Sequence, residues 1–172
     1  MYFRTALSRP VASFAAATGS LTRSFGTSAL AYKSFAALVK EIKATNKDIH
    51  EMGPQELGAA LLQQSSSSEA ADKPIVVDCR EMSEITKTGT IPGALPLPRG
   101  ILERDVQKFL PNPEQNTRNI VVYCAGGFRS VLAAESLVRL GYATDGKVTS
   151  LEQGFDGWVK AGFPVQDVAS KK

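Results

Sequence analysis

The stretch Ile120-Val121-Val122-Tyr123-Cys124-Ala125-Gly126-Gly127-Phe128-Arg129-Ser130-Val131 reads as a strand, a glycine-bearing loop and the start of a helix. Ile120 to Tyr123 is a short β-branched and aromatic run, the composition of a buried strand. From Ser130 onward apolar residues recur at helical spacing: Val131, Ala134, Leu137, Val138 and Leu140, with Gly141 as the stop. Cys124 opens the loop between them. Backbone N–H groups and the helix dipole favour negative charge there, and such a place turns a thiol with a free pKa of about 8.5 into a thiolate. Cys124 is therefore read as a nucleophile rather than a core cysteine.

Working outward, Ile75-Val76-Val77-Asp78-Cys79 is a second continuous apolar run, suited to a central parallel strand covered on both faces. Asp78, Cys79 and Arg80 then fall at its carboxyl end, where open α/β sheets place their sites. Asp78 and Arg80 read as structural partners beside the site. Cys79 reads as filling core space, with a resolving thiol as the other reading. Upstream, Phe35, Leu38, Val39 and Ile42 predict an amphipathic helix over 34–47 on the outside of the domain. A short edge strand is expected over 48–52, and a helix from Pro54 to about Leu62. Ser65 to Asp72 is a low-complexity connector.

The turn-rich Gly89-Thr90-Ile91-Pro92-Gly93-Ala94 leads into Leu95-Pro96-Leu97-Pro98, whose prolines impose an extended, edge-like path. Ile101 to Leu110 predicts a helix with Ile101, Leu102, Val106, Phe109 and Leu110 on one side, and 111–117 a loop. Asp145-Gly146 is a turn and Val148 to Leu151 a last strand. A closing helix follows Gly154, docked by Trp158. Strands alternating with helices give an α/β domain: a central, mostly parallel sheet with helices on both faces.

The 172 residues suit one globular domain plus an extension. Two cysteines are too few for a disulfide scaffold. A metal site would have to use the lone histidine, His50, with Cys79 and Cys124 at no recognisable spacing, so no metal or other cofactor is expected. His50 itself reads as a surface residue. The net charge of +3 comes from residues 1–32, which carry Arg4, Arg9 and Arg23 and no acid. The remainder holds 17 basic and 17 acidic residues, and a neutral body with no basic cluster is not the footprint of a nucleic-acid binder.

Residues 1–32, rich in Ser, Thr and Ala, have the composition of a mitochondrial transit peptide. No run approaches the ~20 apolar residues of a membrane span. Arg23-Ser24-Phe25-Gly26-Thr27-Ser28-Ala29-Leu30-Ala31-Tyr32 also resembles the two-step matrix cleavage signal, which implies a mature start near Lys33 and a matrix location. The expected organisation is a transit peptide (1–32), a helical extension (33–48), the catalytic domain (49–167) and a tail (168–172).

Four pieces in register resemble the single-domain rhodaneses: Asp78-Cys79-Arg80-Glu81, Gly89-Thr90-Ile91-Pro92-Gly93-Ala94, Cys124 to Ser130, and Gly154-Phe155-Asp156-Gly157-Trp158 with Ala161-Gly162-Phe163-Pro164-Val165. The resemblance covers about residues 49–166 and implies a rhodanese-like fold and sulfur transfer. Carried onto this chain, Cys124 takes a sulfane sulfur from thiosulfate or a low-molecular-weight persulfide such as glutathione persulfide. The Cys124 persulfide then passes it to cyanide, glutathione or a thioredoxin-like thiol, a protein thiol among the acceptors. Ala125, Gly126, Gly127, Phe128, Arg129 and Ser130 form the substrate-binding loop. Arg99, in a segment similar to one in some bacterial members, is an accessory position with Asp78 and Arg80.

The residues fit that chemistry. The loop contains no acid, Gly126 and Gly127 let consecutive N–H groups turn inward, Arg129 adds a fixed positive charge, and Ser130 suits the helix N-cap. No histidine base is required for a cysteine that is already ionised. Four residues separate Cys124 from Arg129. The related phosphatase loop is one residue longer, sized for a tetrahedral oxyanion, so oxyanion hydrolysis is the weaker reading. Ala125 stands where thiosulfate-using members often carry a basic residue, which lowers the case for thiosulfate, and Phe128 makes the rim apolar. A non-enzymatic persulfide carrier or sensor for a partner is the alternative to an enzyme.

Overall fold

The computed structural model describes residues 33–63, 73–143 and 148–168. The expected leader, the connector 65–72 and the Asp145-Gly146 turn lie outside the described residues. Among those described, the strands are β1 (Ile49–Met52), β2 (Ile75–Asp78), β3 (Leu95–Pro96), β4 (Ile120–Tyr123) and β5 (Val148–Leu151). The helices are α1 (Phe35–Thr45), α2 (Pro54–Gln63), α3 (Met82–Thr88), α4 (Leu102–Phe109), α5 (Phe128–Arg139) and α6 (Gly154–Lys160). The strands form one sheet in the order β1-β5-β4-β2-β3, parallel throughout.

Every residue of β2, β4 and β5 is buried, because helices cover both faces and leave no solvated side to demand polar residues. The pleat divides the strands' side chains. Val77 and Val122 join Leu102, Val106, Ala134 and Leu137 under α4 and α5. Val76, Val121 and Leu151 join Leu57, Phe155 and Trp158 under α2 and α6. This is the α/β architecture the strand pattern predicts. Helix α1 lies outside the first layer, where Val39 and Ile42 pack on Val131 of α5. Trp158 stacks on Phe163 with ring centroids 4.5 Å apart and donates its indole N–H to the Pro164 carbonyl at 2.8 Å. Those contacts fasten the end of the chain to the sheet.

From β2 the chain runs outward to β3 at the edge, then returns to the other side of β2 as β4. The carboxyl ends of β2 and β4 therefore flank a topological switch point, where such sheets open a crevice.

Three expectations are corrected. The helix after Cys124 begins at Phe128, not Ser130; Gly127, in the left-handed region at φ 86°, occupies the N-cap position and leaves Ser130 buried inside the first turn. Phe109 and Leu140 are 43% and 40% exposed rather than part of the apolar sides of their helices. Each sits at the very end of its helix, beyond the reach of the sheet. Helix α3 was not anticipated, since Ile85 is its one buried residue and gives no period to read. It starts with a reciprocal capping box: Glu81 accepts from the backbone of Glu84, and the Glu84 carboxylate accepts the Glu81 amide at 3.1 Å.

Candidate active site

Cys124 follows β4 directly and is 1% exposed, at the floor of the loop that α5 closes. Its Sγ accepts the Gly127 amide at 3.2 Å and lies 3.8 Å from Ser130 Oγ. Ser150, on β5, donates its hydroxyl to Ser130 Oγ at 2.9 Å. With its oxygen accepting from Ser150, Ser130 is free to turn its own proton toward the sulfur.

The loop is held from outside as well. The amides of Phe155 and Asp156, at the start of α6, donate to the carbonyls of Cys124 and Ala125 at 2.8 and 3.0 Å. Those bonds anchor the loop whose Gly127 amide faces the sulfur. Gly154 permits this approach, since a Cβ there would stand 2.2 Å from the Cys124 carbonyl oxygen and 2.5 Å from that of Ala125. Gly127 is equally constrained by its φ of 86° and by Gln153 N, 2.9 Å from a would-be Cβ. Gly126 has neither a positive φ nor a crowded Cβ site, so the expected need for two loop glycines reduces to one.

Cys79, directly beyond β2, is the largest influence on the ionisation of Cys124. A hydrogen bond from the Cys79 thiol favours the Cys124 thiolate. Burial opposes it, and the backbone and hydroxyl of Ser130 and the amide of Gly127 favour it further, so the pKa falls to about 5. The same hydrogen bond and its own burial push the Cys79 thiol well up. Near neutral pH the pair holds one anion and one proton, with the anion on Cys124.

Arg129 is engaged rather than free. Its two terminal nitrogens each donate to a Glu84 carboxylate oxygen at 2.7 Å. These bonds to Arg129 hold the Glu84 carboxyl at about 2, against a partly opposing desolvation. The loop contains no acid, yet an acid from α3 neutralises its one cation. Phe128 is half exposed at the rim and meets Phe35 of α1, with ring centroids 6.2 Å apart and tilted. A cleft of about 630 Å³ opens beside Ala125 between α3 and α6, lined among others by Glu84, Lys87, Phe155 and Lys160.

Asp78 and Arg80 form a separate buried unit under the site. Asp78 Oδ2 accepts from Arg80 Nη2 at 2.7 Å, Thr90 Oγ1 at 3.0 Å and Tyr123 Oη at 2.6 Å, while Oδ1 accepts the Arg80 amide and Nε, both at 3.0 Å. Arg80 also donates to Thr88 and the Gly89 carbonyl, and its guanidinium lies 3.9 Å from the Phe155 ring centroid. Arg99 donates to Glu103 at 2.8 Å and to Ser136, midway along α5, at 3.1 Å; it is not among the residues lining the cleft beside Ala125. Glu84, Ser150 and the amides of Phe155 and Asp156 escaped the sequence reading. Gly154, Phe155 and Asp156 carried a signal as part of the tail motif, but not the role of their backbone; Glu84 and Ser150 carried none. Among the described residues no group of three or more His, Cys, Asp or Glu side chains could hold a metal ion.

A family model described as a rhodanese-like domain matches residues 59–161, more than half of the chain. This chain belongs to the rhodanese family. A sulfurtransferase of Allochromatium vinosum is 33% identical over 91 residues, covering 53% of this chain and 77% of the relative. Among solved structures, a protein of unknown function and possible tyrosine phosphatase from Rhodopseudomonas palustris is 31% identical, with a TM-score of 0.60, over 78% of this chain and 95% of its own. A thiosulfate sulfurtransferase from Pseudomonas aeruginosa is 26% identical with a TM-score of 0.61, over 77% of this rhodanese and 22% of the longer enzyme. Family and relatives together support sulfur transfer as the general activity.

Proposed function

We propose that this rhodanese carries a sulfane sulfur on Cys124, taking it from a low-molecular-weight persulfide or thiosulfate and passing it to a thiophilic acceptor. The observation that carries the reading is the buried Cys124 sulfur, its pKa lowered to about 5 and cradled by the Gly127 amide and Ser130. With a persulfide donor, the Cys124 thiolate attacks the terminal sulfur, the donor's S–S bond breaks, and the donor leaves as a thiolate. The Cys124 persulfide anion occupies the same donors. An acceptor thiolate or cyanide then attacks the outer sulfur and Cys124 leaves as thiolate, which its hydrogen bonds stabilise. No general base is needed at either step.

Two features favour a persulfide over thiosulfate: Ala125 adds no charge after the nucleophile, and Glu84 neutralises Arg129. The same pairing, with the short loop, weighs against oxyanion hydrolysis. The activity test is direct. Donor treatment adds the mass of one sulfur to Cys124, and Cys124→Ser abolishes transfer; full activity in the serine variant overturns the reading. Multiple turnovers with glutathione persulfide and reduced thioredoxin or cyanide separate an enzyme from a persulfide carrier or sensor.

The leader composition supports import into the mitochondrial matrix. Residues 1–32 fused to a reporter are expected to carry it into mitochondria, and a reporter left in the cytosol overturns that proposal.

A further inference from the structure

The two cysteines of the chain each follow the last residue of neighbouring parallel strands. Val77 pairs with Val122 and Asp78 with Tyr123, and the Cys79 amide extends the ladder by donating to the Tyr123 carbonyl at 2.9 Å. Cys79 therefore stands opposite Cys124, and both side chains lie in the core cluster on the same face of the sheet. Neighbouring strands run about 4.8 Å apart, inside the ~4.4–6.8 Å between Cα atoms that a disulfide spans. Both cysteines are free, and both are almost wholly buried. On that face the strands otherwise present Ile75, Val77, Ile120 and Val122. A branched aliphatic side chain continues the pattern at Cys79 equally well as filler, whereas a thiol there brings a second sulfur to the first.

We infer that Cys79 is a resolving thiol: once Cys124 carries a sulfane sulfur, Cys79 attacks Cys124 Sγ, forms a Cys79–Cys124 disulfide and expels that sulfur as hydrosulfide. The inference rests on the persulfide reading above. Its step balances within the protein. The Sγ–Sγ bond forms as the bond from Cys124 Sγ to the outer sulfur breaks. The sulfane sulfur gains two electrons, the two cysteine sulfurs together lose two, and the Cys79 proton departs on the hydrosulfide. Cys79 is 0% exposed and lies in the same core cluster as Cys124, so the electrophile beside it is the sulfur that Cys124 carries. An external dithiol then reduces the disulfide and resets the pair. The rhodanese would thus have two outcomes, transfer of sulfur when an acceptor thiol is present and sulfide release when it is not.

The test uses the full chain under anaerobic conditions, so that any disulfide draws its electrons from the sulfane sulfur. Reduced protein is loaded with glutathione persulfide, desalted and followed without acceptor by sulfide trapping and by mass spectrometry after acid quench. Wild type is expected to release sulfide in step with a Cys79–Cys124 disulfide, seen as the loss of two hydrogens and as a cross-linked peptide. Compared at equal loading, which removes the lost help of the Cys79 thiol to Cys124 ionisation from the comparison, Cys79→Val and Cys79→Ser are expected to keep the added sulfur on Cys124 and to lose sulfide release. A wild type that retains the sulfur without a disulfide overturns the inference, as does equal sulfide release by the variants. If neither variant folds, the presence or absence of the wild-type disulfide decides alone. Failure of wild type and both variants to take sulfur from the donor overturns the sulfur-transfer reading and this inference with it.

Discussion

Two buried anions sit one strand apart at the same edge of the sheet, and they are neutralised in opposite ways. The Asp78 carboxylate, at the end of β2, is answered by a full charge: Arg80 reaches both of its oxygens, and Thr90 and Tyr123 complete the shell. The Cys124 thiolate, just past β4, is answered chiefly by dipoles, from the Gly127 amide, Ser130 and the Cys79 thiol, with a charge interaction from Arg129 that no hydrogen bond reinforces. Arg129 itself is paired with Glu84. A carboxylate saturated by charge and hydrogen bonds is chemically inert and serves as a rivet. A sulfur held mainly by partial charges stays anionic without being locked into an ion pair, which a nucleophile requires. The sheet edge uses strong neutralisation to fix the floor and weak neutralisation to leave the sulfur reactive.

Breaking the rivet is expected to have the largest effect. Arg80→Met leaves the Asp78 carboxylate buried without its cation, which costs about 3–5 kcal/mol, read as a lowered denaturation midpoint. Sulfur transfer per folded molecule is expected to fall less than stability, because Arg80 lines the cleft beside Ala125 but its side-chain hydrogen bonds go to Asp78, Thr88 and Gly89 rather than to Cys124. A midpoint within experimental error of wild type would place the unit outside the stability of the core.

Breaking the weaker shell is expected to act on rate instead. Ser130→Ala removes one donor to the anionic sulfur and is expected to lower kcat/KM by about 10- to 100-fold, the span of a charge-assisted hydrogen bond worth ~1.5–3 kcal/mol, with a smaller loss of stability, about 1–3 kcal/mol, from the buried Ser150 hydroxyl left without its acceptor. The pH profile sharpens the same point. Because the Cys124 pKa is depressed, the thiolate is present above about pH 5 and lost below it. Alkylation by iodoacetamide is expected to reach half its plateau rate near that pH in wild type and at a higher pH in Ser130→Ala. A shared midpoint in the two proteins would remove Ser130 from the shell.

The smallest effect belongs to Glu84→Gln. The Arg129–Glu84 pair is about one-third exposed on both sides, and such pairs contribute less than about 1 kcal/mol. Its carboxyl is lowered from 4.5 to about 2, so the contribution is complete above the ordinary value and is lost as pH falls toward 2; the glutamine variant is expected to lack that acid-side slope. Releasing Arg129 is expected to raise activity with thiosulfate relative to glutathione persulfide. An unchanged donor ratio would show that the pairing does not select the donor.

The contrast between the anions was only half legible in the sequence. The apolar runs of β2 and β4, the helix periodicity of α1 and α5, and the loop opened by Cys124 are local signals, and each points to its element. Asp78 and Arg80 could be placed beside the site, yet Thr90 and Tyr123 join them only through the β2–β4 pairing. Ser150 reaches Ser130 because β5 lies next to β4, and Glu84 reaches Arg129 across the crevice. Those contacts are long-range and leave no periodic trace. Ser130 was misassigned as the cap for a related reason: its residue type suits that position, but Gly127 adopts the positive φ that starts the helix earlier and turns the serine inward.

The α6 amides that hold the Cys124 and Ala125 carbonyls have a consequence for biosynthesis. Chains emerge amino end first, so Cys124 is made before Ser150, Gly154, Phe155 and Asp156. Among the described strands β1, the first made, pairs only with β5, the last. A partly synthesised chain thus carries the cysteine without the Ser150 contact to Ser130 or the anchored loop. The loop that holds the nucleophile is anchored only by the final residues of the domain, and the cradle is finished no earlier than the fold that shelters it.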